Sequence, residues 1–197
     1  MLYAIDTPYR AEDFLTNTHP EGSVQYDGAL LIKQGPLLEL GIYFSPTIQN
    51  QISHIPEDQN LATIPQGTLN AYLVTAEEIS HFHYFLFHSE QGRPVSQLEL
   101  EIQGEIDRFL LCFLSSKNPE TDFEPLVDTL FEHYRLRQNL APEQVERYDV
   151  ASSLAKNFVL KHLRQLKSER HREAMVGFLR RYYRMASREK LEVAGKR

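Results

Sequence analysis

Three capping-box patterns, in each of which Ser or Thr is followed three residues later by Glu, stand before apolar runs at helical spacing in this chain. In a capping box the hydroxyl accepts a hydrogen bond from a backbone N–H in the first helical turn, and the glutamate reaches back to the N-cap N–H. The boxes begin at Thr75, Ser96 and Thr121. We therefore expect a helix after each box, and far more helix than strand in the folded chain.

The N-terminal part of the chain has the composition of strands. Two segments, Val24–Ile32 and Leu37–Phe44, are rich in aliphatic and aromatic residues. Because Gln34-Gly35-Pro36 between them is a turn signal, we expect a β-hairpin. Leu69–Val74 is interpreted as a third strand, and residues 45–68, which contain several Pro and Gly, as a loop.

Two further helix starts follow later in the chain. Pro142 suits a first helical turn, where the missing N–H of proline costs nothing, and Ser168 is a suitable N-cap for a last helix. We therefore expect a small β-hairpin-containing part over residues 1–74 and a bundle of about five helices over residues 75–190. The predicted fold is a single α+β domain, residues 1–197, dominated by helices.

Charge is divided unevenly along the chain, whose formal net charge is −6. Residues 1–155 contain 8 basic and 23 acidic side chains, a net charge of −15, whereas residues 156–197 contain 13 basic and 4 acidic side chains, a net charge of +9. Such asymmetry indicates a segment that binds protein, nucleic acid or a membrane. The simpler explanation is that the basic segment folds against the acidic body, since opposite charges in one chain attract.

The basic segment combines arginines with aromatic residues. Tyr182 lies on an apolar helical stripe, so the arginines between 180 and 188 are expected on the outer face. This arrangement favours contact with a protein partner or a second copy of the chain. Nucleic acid is the alternative partner, because basic residues with interleaved aromatics bind phosphates and stack on bases. The candidate interaction residues are Lys167, Arg172, Arg180, Arg181, Arg184 and Arg188.

Histidines are concentrated between residues 81 and 88. At about 100° per residue, His81 and His88 fall within roughly 20° of each other on a helix, whereas His83 points elsewhere. Glu78 and His81 form a Glu-x-x-His unit, which di-iron helical bundles use twice together with further glutamates. Because the sequence has no second copy, an amphipathic helix with histidines on its polar flank explains the pattern, and no metal or other cofactor is predicted.

The helix after the second capping box has two acidic residues, Glu101 and Glu105, at the margin of its apolar face. A carboxylate in that position has its charged form disfavoured unless it is paired, which is how general acids arise. Arg108 can pair with Glu105, so a structural ion pair is the expected explanation. A metal or acid–base site requires that two helices pack as an antiparallel hairpin and bring these glutamates to His81 and His88. Its candidate ligands are Glu78, His81, His88, Glu101 and Glu105.

Several classes of function and location have no support in the sequence. Cys112, the single cysteine, lies among apolar residues and is expected to be buried and unreactive, and its lack of a partner fits a reducing, cytoplasmic compartment. Glycine-rich phosphate loops and a glycine-flanked serine are missing, which argues against nucleotide binding through such loops and against serine-hydrolase chemistry. We expect no signal peptide and no transmembrane segment, because no long apolar run occurs.

These patterns together predict a non-enzymatic intracellular binding or adaptor protein that acts through helical surfaces and a basic C-terminal face. The alternative is a nucleic-acid-associated regulatory protein that uses residues 156–197. A second alternative is a metalloenzyme with a His/Glu site. Salt-dependent retention on DNA or RNA distinguishes the first alternative, and metal analysis of purified protein distinguishes the second.

Overall fold

The computed structural model of the chain describes residues 2–20, 26–54, 66–132, 140–167 and 172–195. Within these ranges the fold is α+β and dominated by helices, which confirms the predicted fold class, although there are seven α-helices rather than about five. None of these helices combines the length and apolar composition needed to cross a membrane. In chain order the strands and α-helices are β1 (Leu15–Thr16), β2 (Gly28–Gln34), β3 (Leu38–Phe44), α1 (Pro46–Ile52), α2 (Gln66–Ser89), α3 (Gln97–Leu114), α4 (Pro119–Val127), α5 (Pro142–Phe158), α6 (Arg172–Arg184) and α7 (Ser187–Gly195).

The pairing of β2 with β3 confirms the predicted hairpin. The two strands run antiparallel in a register that places Lys33 opposite Glu39, and Nζ of the lysine lies 3.1 Å from a carboxylate oxygen of the glutamate. β1 lies parallel to the other edge of β3, so the strand order is β1-β3-β2. The part of the predicted first strand before residue 26 lies outside the described residues.

Helix α2 begins at Gln66 rather than at Thr75. Thr75 lies inside the helix, where its hydroxyl donates a hydrogen bond to the carbonyl oxygen of Ala71 at 2.8 Å instead of capping a helix start. The prediction of a strand at Leu69–Val74 is therefore wrong. A short apolar run is compatible with a strand and with a buried helix, and in this fold the helical form buries Ala71 and Leu73 in the core.

Of the two remaining capping boxes, only the one at Ser96 forms. Its Oγ accepts a hydrogen bond from the N–H of Glu99 at 3.2 Å, and the Glu99 carboxylate accepts one from the N–H of Ser96 at 3.2 Å. The prediction of a helix start at Thr121 is wrong, because α4 already begins at Pro119, whose fixed φ suits a first turn. The Thr121 hydroxyl instead donates to the carbonyl oxygen of Asn118 at 3.1 Å.

The other predicted boundaries have mixed outcomes. Pro142 begins α5 as predicted. The segment 45–68 was expected to be a loop, yet α1 lies within it and is capped by Ser45, whose Oγ accepts from the N–H of Ile48 at 3.3 Å. Ser168 lies outside the described residues, and the chain beyond it forms two helices, α6 and α7, where one was expected.

Helix α3 lies at the centre of the helical part, packed against α2 and α5. Its residues Ile102, Ile106 and Phe109 are fully buried in the largest apolar core cluster, and Cys112 is buried beside them as expected. Every residue from Glu99 to Ile106 is buried, including three glutamates. Because a buried charge is costly unless it is paired, the neighbours of these glutamates on α2 and α5 determine what this helix can do.

Candidate metal centre

His81 of α2 occupies the interface between α2 and α3 and is only 6% exposed. Its Nδ1 lies 3.3 Å from a carboxylate oxygen of Glu78, one helical turn earlier on α2. Its Nε2 points toward α3, where Glu101 has a carboxylate oxygen at 3.8 Å, but Nε2 makes no hydrogen bond. A buried imidazole nitrogen without a hydrogen bond is uncommon in folded proteins.

The close approach of His81 to α3 depends on Gly104. A Cβ atom at Gly104 would lie 2.8 Å from Nε2 of His81 and 3.1 Å from Cγ of Glu77. Any other residue at this position would therefore displace the imidazole or the glutamate. Glycine inside a helix is unfavourable by roughly 0.5–1 kcal/mol relative to alanine, so its presence in α3 is explained by the space that the side chains of α2 need.

Three potential metal ligands meet at this point of the interface. One oxygen each of Glu77 and Glu101 and one ring nitrogen of His81 all lie within 4.8 Å of one another, and within the described residues this is the group of His, Cys, Asp and Glu with that property. Ligand atoms at about 2.0–2.2 Å from a tetrahedral zinc ion are separated by roughly 3.5 Å. Small side-chain rotations would therefore bring these three atoms onto a single ion.

Two further charged side chains border the three ligands. Arg108 contacts Glu105 at 3.3 Å and Glu77 at 3.4 Å, so it bridges α3 and α2. Glu105 Oε2 is buried and makes no hydrogen bond. From α5, Arg147 approaches Glu101 at 3.6 Å. The cluster thus contains the four carboxylates of Glu77, Glu78, Glu101 and Glu105, opposed by the cations of Arg108 and Arg147 and by a protonated His81.

Burial and charge shift the pKa values of this cluster. Burial alone would lower the pKa of His81, but the hydrogen bond and charge of Glu78, together with Glu101 and Glu77, raise that pKa to about 10. Burial raises the pKa of Glu101 to about 7, although the charge of His81 opposes this rise. Burial likewise raises the pKa of Glu105 against the effect of Arg108. Without a metal ion, bound protons on His81, Glu101 and Glu105 therefore offset part of the negative charge of the cluster near neutral pH.

His88, also a predicted ligand, does not reach the cluster. Its Nε2 lies 2.9 Å from the carbonyl oxygen of Tyr183, and burial, helped by the charge of Arg93, lowers its pKa to about 4. A helix rises 1.5 Å per residue, so seven residues separate His88 from His81 by about 10 Å along the axis, even though the two share a face. The sequence placed His88 among the candidate ligands, but the structure places it in a separate buried cluster with Tyr183.

The other candidate ligands from the sequence, Glu78, Glu101 and Glu105, do lie around His81. Helices α2 and α3 are antiparallel, since Glu77 meets Arg108 at one end and Tyr84 meets Glu99 at the other. Sequence reasoning omitted Glu77 from the ligands. Its position four residues before His81, on the same helical face, was a usable signal. The role of Arg147 could not be found from the sequence, because it depends on how α5 packs.

The predicted basic face is partly engaged by the chain itself. Arg180 donates to the carbonyl oxygen of Leu2 at 2.9 Å, and Arg184 donates to those of Tyr3 and Ala4 at 3.0 and 3.1 Å. Arg181 is exposed, and Arg188 pairs with Glu192 of its own helix at 3.1 Å. The other two candidate interaction residues, Lys167 and Arg172, have side chains outside the described part of the chain.

The chain matches no protein-family model, and neither a curated protein nor a solved structure shows significant similarity to it. A functional assignment therefore depends on the contacts of its own side chains. Of these, the cluster around His81 has the donor atoms, the spacing and the excess of negative charge that a cation requires.

Proposed function

We propose that the protein binds one divalent transition-metal ion between α2 and α3, with His81, Glu77 and Glu101 as ligands. The observation that carries this proposal is Nε2 of His81, which is buried, makes no hydrogen bond and lies near the carboxylates of Glu77 on α2 and Glu101 on α3. A divalent ion in place of the imidazolium proton would bring the four carboxylates and two arginines of the cluster to neutrality. The metalloenzyme considered as a second alternative from the sequence thus becomes the leading candidate.

Glu78 supports this assignment by its position on the far side of the ring. Histidines that bind metals almost always donate their other ring N–H to a carboxylate or carbonyl group, which fixes the tautomer and orients the free nitrogen. Glu78 lies within hydrogen-bond distance of Nδ1. With Nδ1–H donating to Glu78, Nε2 carries the lone pair and is presented to the ion. The ligand carboxylates also have partners that orient them: Arg147 lies 3.6 Å from Glu101, and Arg108 lies 3.4 Å from Glu77.

The donor set also limits the choice of metal. One imidazole nitrogen with two or three carboxylate oxygens suits Zn²⁺, Mn²⁺ or Fe²⁺, whereas Mg²⁺ and Ca²⁺ prefer oxygen ligands alone. Three protein ligands leave a coordination position for water, as in catalytic rather than structural zinc sites. An ion there would lower the pKa of that water toward neutrality, so the proposed function is a metal-dependent reaction in which the bound water is activated.

Contact with a partner through the basic face is retained as a second candidate. The observation in its favour is the exposure of Arg181 and of the Arg188 side chain, which is 93% exposed. It carries less weight than the metal proposal, because Arg180 and Arg184 already bind the chain's own N-terminal carbonyl groups. Nucleic acid, the alternative partner of that face, would be recognised by the same exposed arginines and would give a strongly salt-dependent affinity.

Metal binding is tested by titrating chelator-treated protein with Zn²⁺, Mn²⁺ and Fe²⁺ in a calorimeter, with elemental analysis of the dialysed complex. About one ion per chain is expected. His81→Ala should abolish binding, whereas His83→Ala is a matched control, because this second histidine of α2 lies outside the ligand group. Failure of all three ions to bind, or equal binding by the His81→Ala variant, would refute the assignment.

A further inference from the structure

A second polar cluster lies on another face of α3 and surrounds the side chain of Tyr3. The phenol O–H of Tyr3 donates to the Asp107 carboxylate, and the phenol oxygen accepts from Nε2 of Gln103 at 3.0 Å. The ring stacks on the ring of Tyr183 with centroids 4.3 Å apart. Tyr3 belongs to a segment that precedes the first helical turn, yet its hydroxyl reaches the middle of the central helix.

The polar end of this pocket is held in place without Tyr3. Asp107 accepts hydrogen bonds from the hydroxyl of Ser80 and from Nε2 of Gln103, the latter at 2.9 Å. Gln103 Oε1 in turn accepts from Nζ of the fully buried Lys190 at 2.6 Å. With Oε1 bound to Lys190, the N–H₂ group of Gln103 faces Tyr3 and Asp107, to both of which it donates.

This arrangement recognises one chemical group in particular. The carboxylate of Asp107 requires a donor and the N–H₂ group of Gln103 requires an acceptor at the same point, beside the Tyr183 ring on which Tyr3 stacks. A phenol hydroxyl is a donor and an acceptor at the tip of an aromatic ring. A carboxylate would lack the donor and be repelled by Asp107, and an ammonium group would lack the acceptor.

The segment that carries Tyr3 is held by the apolar packing of Leu2, Tyr3 and Ile5 and by hydrogen bonds to its backbone. Residues 2–10 contain no described helix or strand, and the carbonyl groups of Leu2–Ala4 are bound by the exposed side chains of Arg180 and Arg184. Ala4 has a φ of 49°, in the left-handed region that a non-glycine residue rarely occupies. The tether is therefore strained at one residue, whereas the polar groups around the Tyr3 hydroxyl also bond to one another.

From these contacts we propose that Ser80, Gln103, Asp107 and Tyr183 form a binding pocket for 4-alkylphenols, which Tyr3 occupies as a tethered and displaceable ligand. Free ligand must compete with the tethered ring, whose local concentration is high. The affinity of the intact chain for an added phenol is therefore lower than that of the pocket itself. The pocket does not involve the metal ligands, so this proposal is independent of the proposed function.

The first test compares binding of p-cresol and toluene, which differ by the hydroxyl, to purified full-length variants by calorimetry. Tyr3→Ala should bind p-cresol at least tenfold more tightly than the wild-type chain and at least tenfold more tightly than it binds toluene. Tyr9→Ala, which removes another tyrosine of the same segment, should behave like the wild type. Equal binding of toluene and p-cresol by Tyr3→Ala would show an unselective apolar cavity and would overturn the proposal.

A further measurement separates a ligand site from a structural contact. In the intact chain with 3-fluorotyrosine, saturating p-cresol should move the ¹⁹F signal of Tyr3 to the position of an exposed tyrosine. An unmoved signal would mean that the tether cannot be displaced and would contradict the proposal.

Discussion

The imidazole of His81 lies directly against the backbone of Gly104, so that a methyl group added there would come within 2.8 Å of Nε2. The contact joins the helix that supplies the histidine to the helix that supplies Glu101. A side chain at position 104 would therefore crowd Nε2, the atom proposed to bind the metal ion. The proposed metal site can therefore be tested by a substitution that changes no ligand.

Gly104→Ala should lower the affinity for the metal ion by at least tenfold, because the new methyl group displaces His81. In an unhindered helix interior, Gly→Ala is stabilising by roughly 0.5–1 kcal/mol. Gly177→Ala in α6 is the matched control, since its Cβ would meet nothing nearer than the Arg181 guanidinium at 3.6 Å. Urea unfolding should show that Gly177→Ala is stabilising and that Gly104→Ala is not. Equal stabilisation by both changes would mean that His81 moves away freely.

The free energy of unfolding of the metal-free protein should fall as the pH rises from about 5 to 8. The pKa of Glu101 is about 7 in the fold and 4.5 ordinarily. The contribution of Glu101 to the free energy of unfolding is therefore complete below pH 4.5 and is lost as the pH rises through 7. His81, with a pKa of about 10 against 6.5, adds a further loss toward pH 10. Unfolding curves at several pH values should show a smaller decline for Glu101→Gln. A decline equal to that of the wild type would contradict the assignment.

Metal affinity should rise with pH, because the ion replaces the proton of His81. With a histidine pKa of about 10, metal binding at pH 7.5–9 should release close to one proton. The apparent affinity for the ion should then rise about tenfold per pH unit. Calorimetry in buffers of different ionisation enthalpy measures the released proton directly. Affinity independent of pH over this range would exclude His81 as a ligand.

Ser96→Ala should destabilise the protein by about 1 kcal/mol through loss of the N-cap acceptor. Thr121→Ala should cost less than about 0.5 kcal/mol, since its hydroxyl does not cap a helix. Both residues begin the same sequence pattern, so comparing their unfolding midpoints isolates the effect of capping. Similar losses for the two variants would show that the Ser96 hydrogen bonds contribute little.

The basic face gives a prediction for the second candidate function. Arg181→Gln with Arg188→Gln removes two exposed charges and should weaken any association with a partner or a second copy at low salt. Arg180→Gln with Arg184→Gln removes the same charge but also releases the N-terminal carbonyl groups. Sizing chromatography and pull-downs at two salt concentrations compare the pairs. Unchanged behaviour of the first pair would leave this face without a role in binding.

The sequence predicted the fold class and the β2–β3 hairpin, because local signals determine both. It failed where the same local pattern has two structural outcomes. Ser96 and Thr121 each precede a glutamate by three residues, but Pro119 starts the helix before Thr121 can cap it. Leu69–Val74 has the composition of a strand, and only the packing of α2 identifies it as helical.

Only part of the candidate site could be predicted from the sequence, because a local pattern gives a position around a helix but not the contacts between helices. A helical wheel places His81 and His88 on one face but ignores the rise along the axis, which separates them by about 10 Å. The convergence of Glu101 and Glu105 on His81 depended on the antiparallel packing of α2 and α3, which the short connection between them favours. The contribution of Arg147 comes from a contact distant in sequence, and no local pattern encodes it.

The amine of Lys190 is completely buried, 4.0 Å from the ring centre of Tyr84, although it lies on the short helix α7 near the end of the chain. An acylating reagent can reach this nitrogen only while α7 is detached from the core. The rate of Lys190 acetylation, followed by mass spectrometry, therefore reports how often α7 opens. Exposed lysines such as Lys33 would provide the reference rate in the same sample.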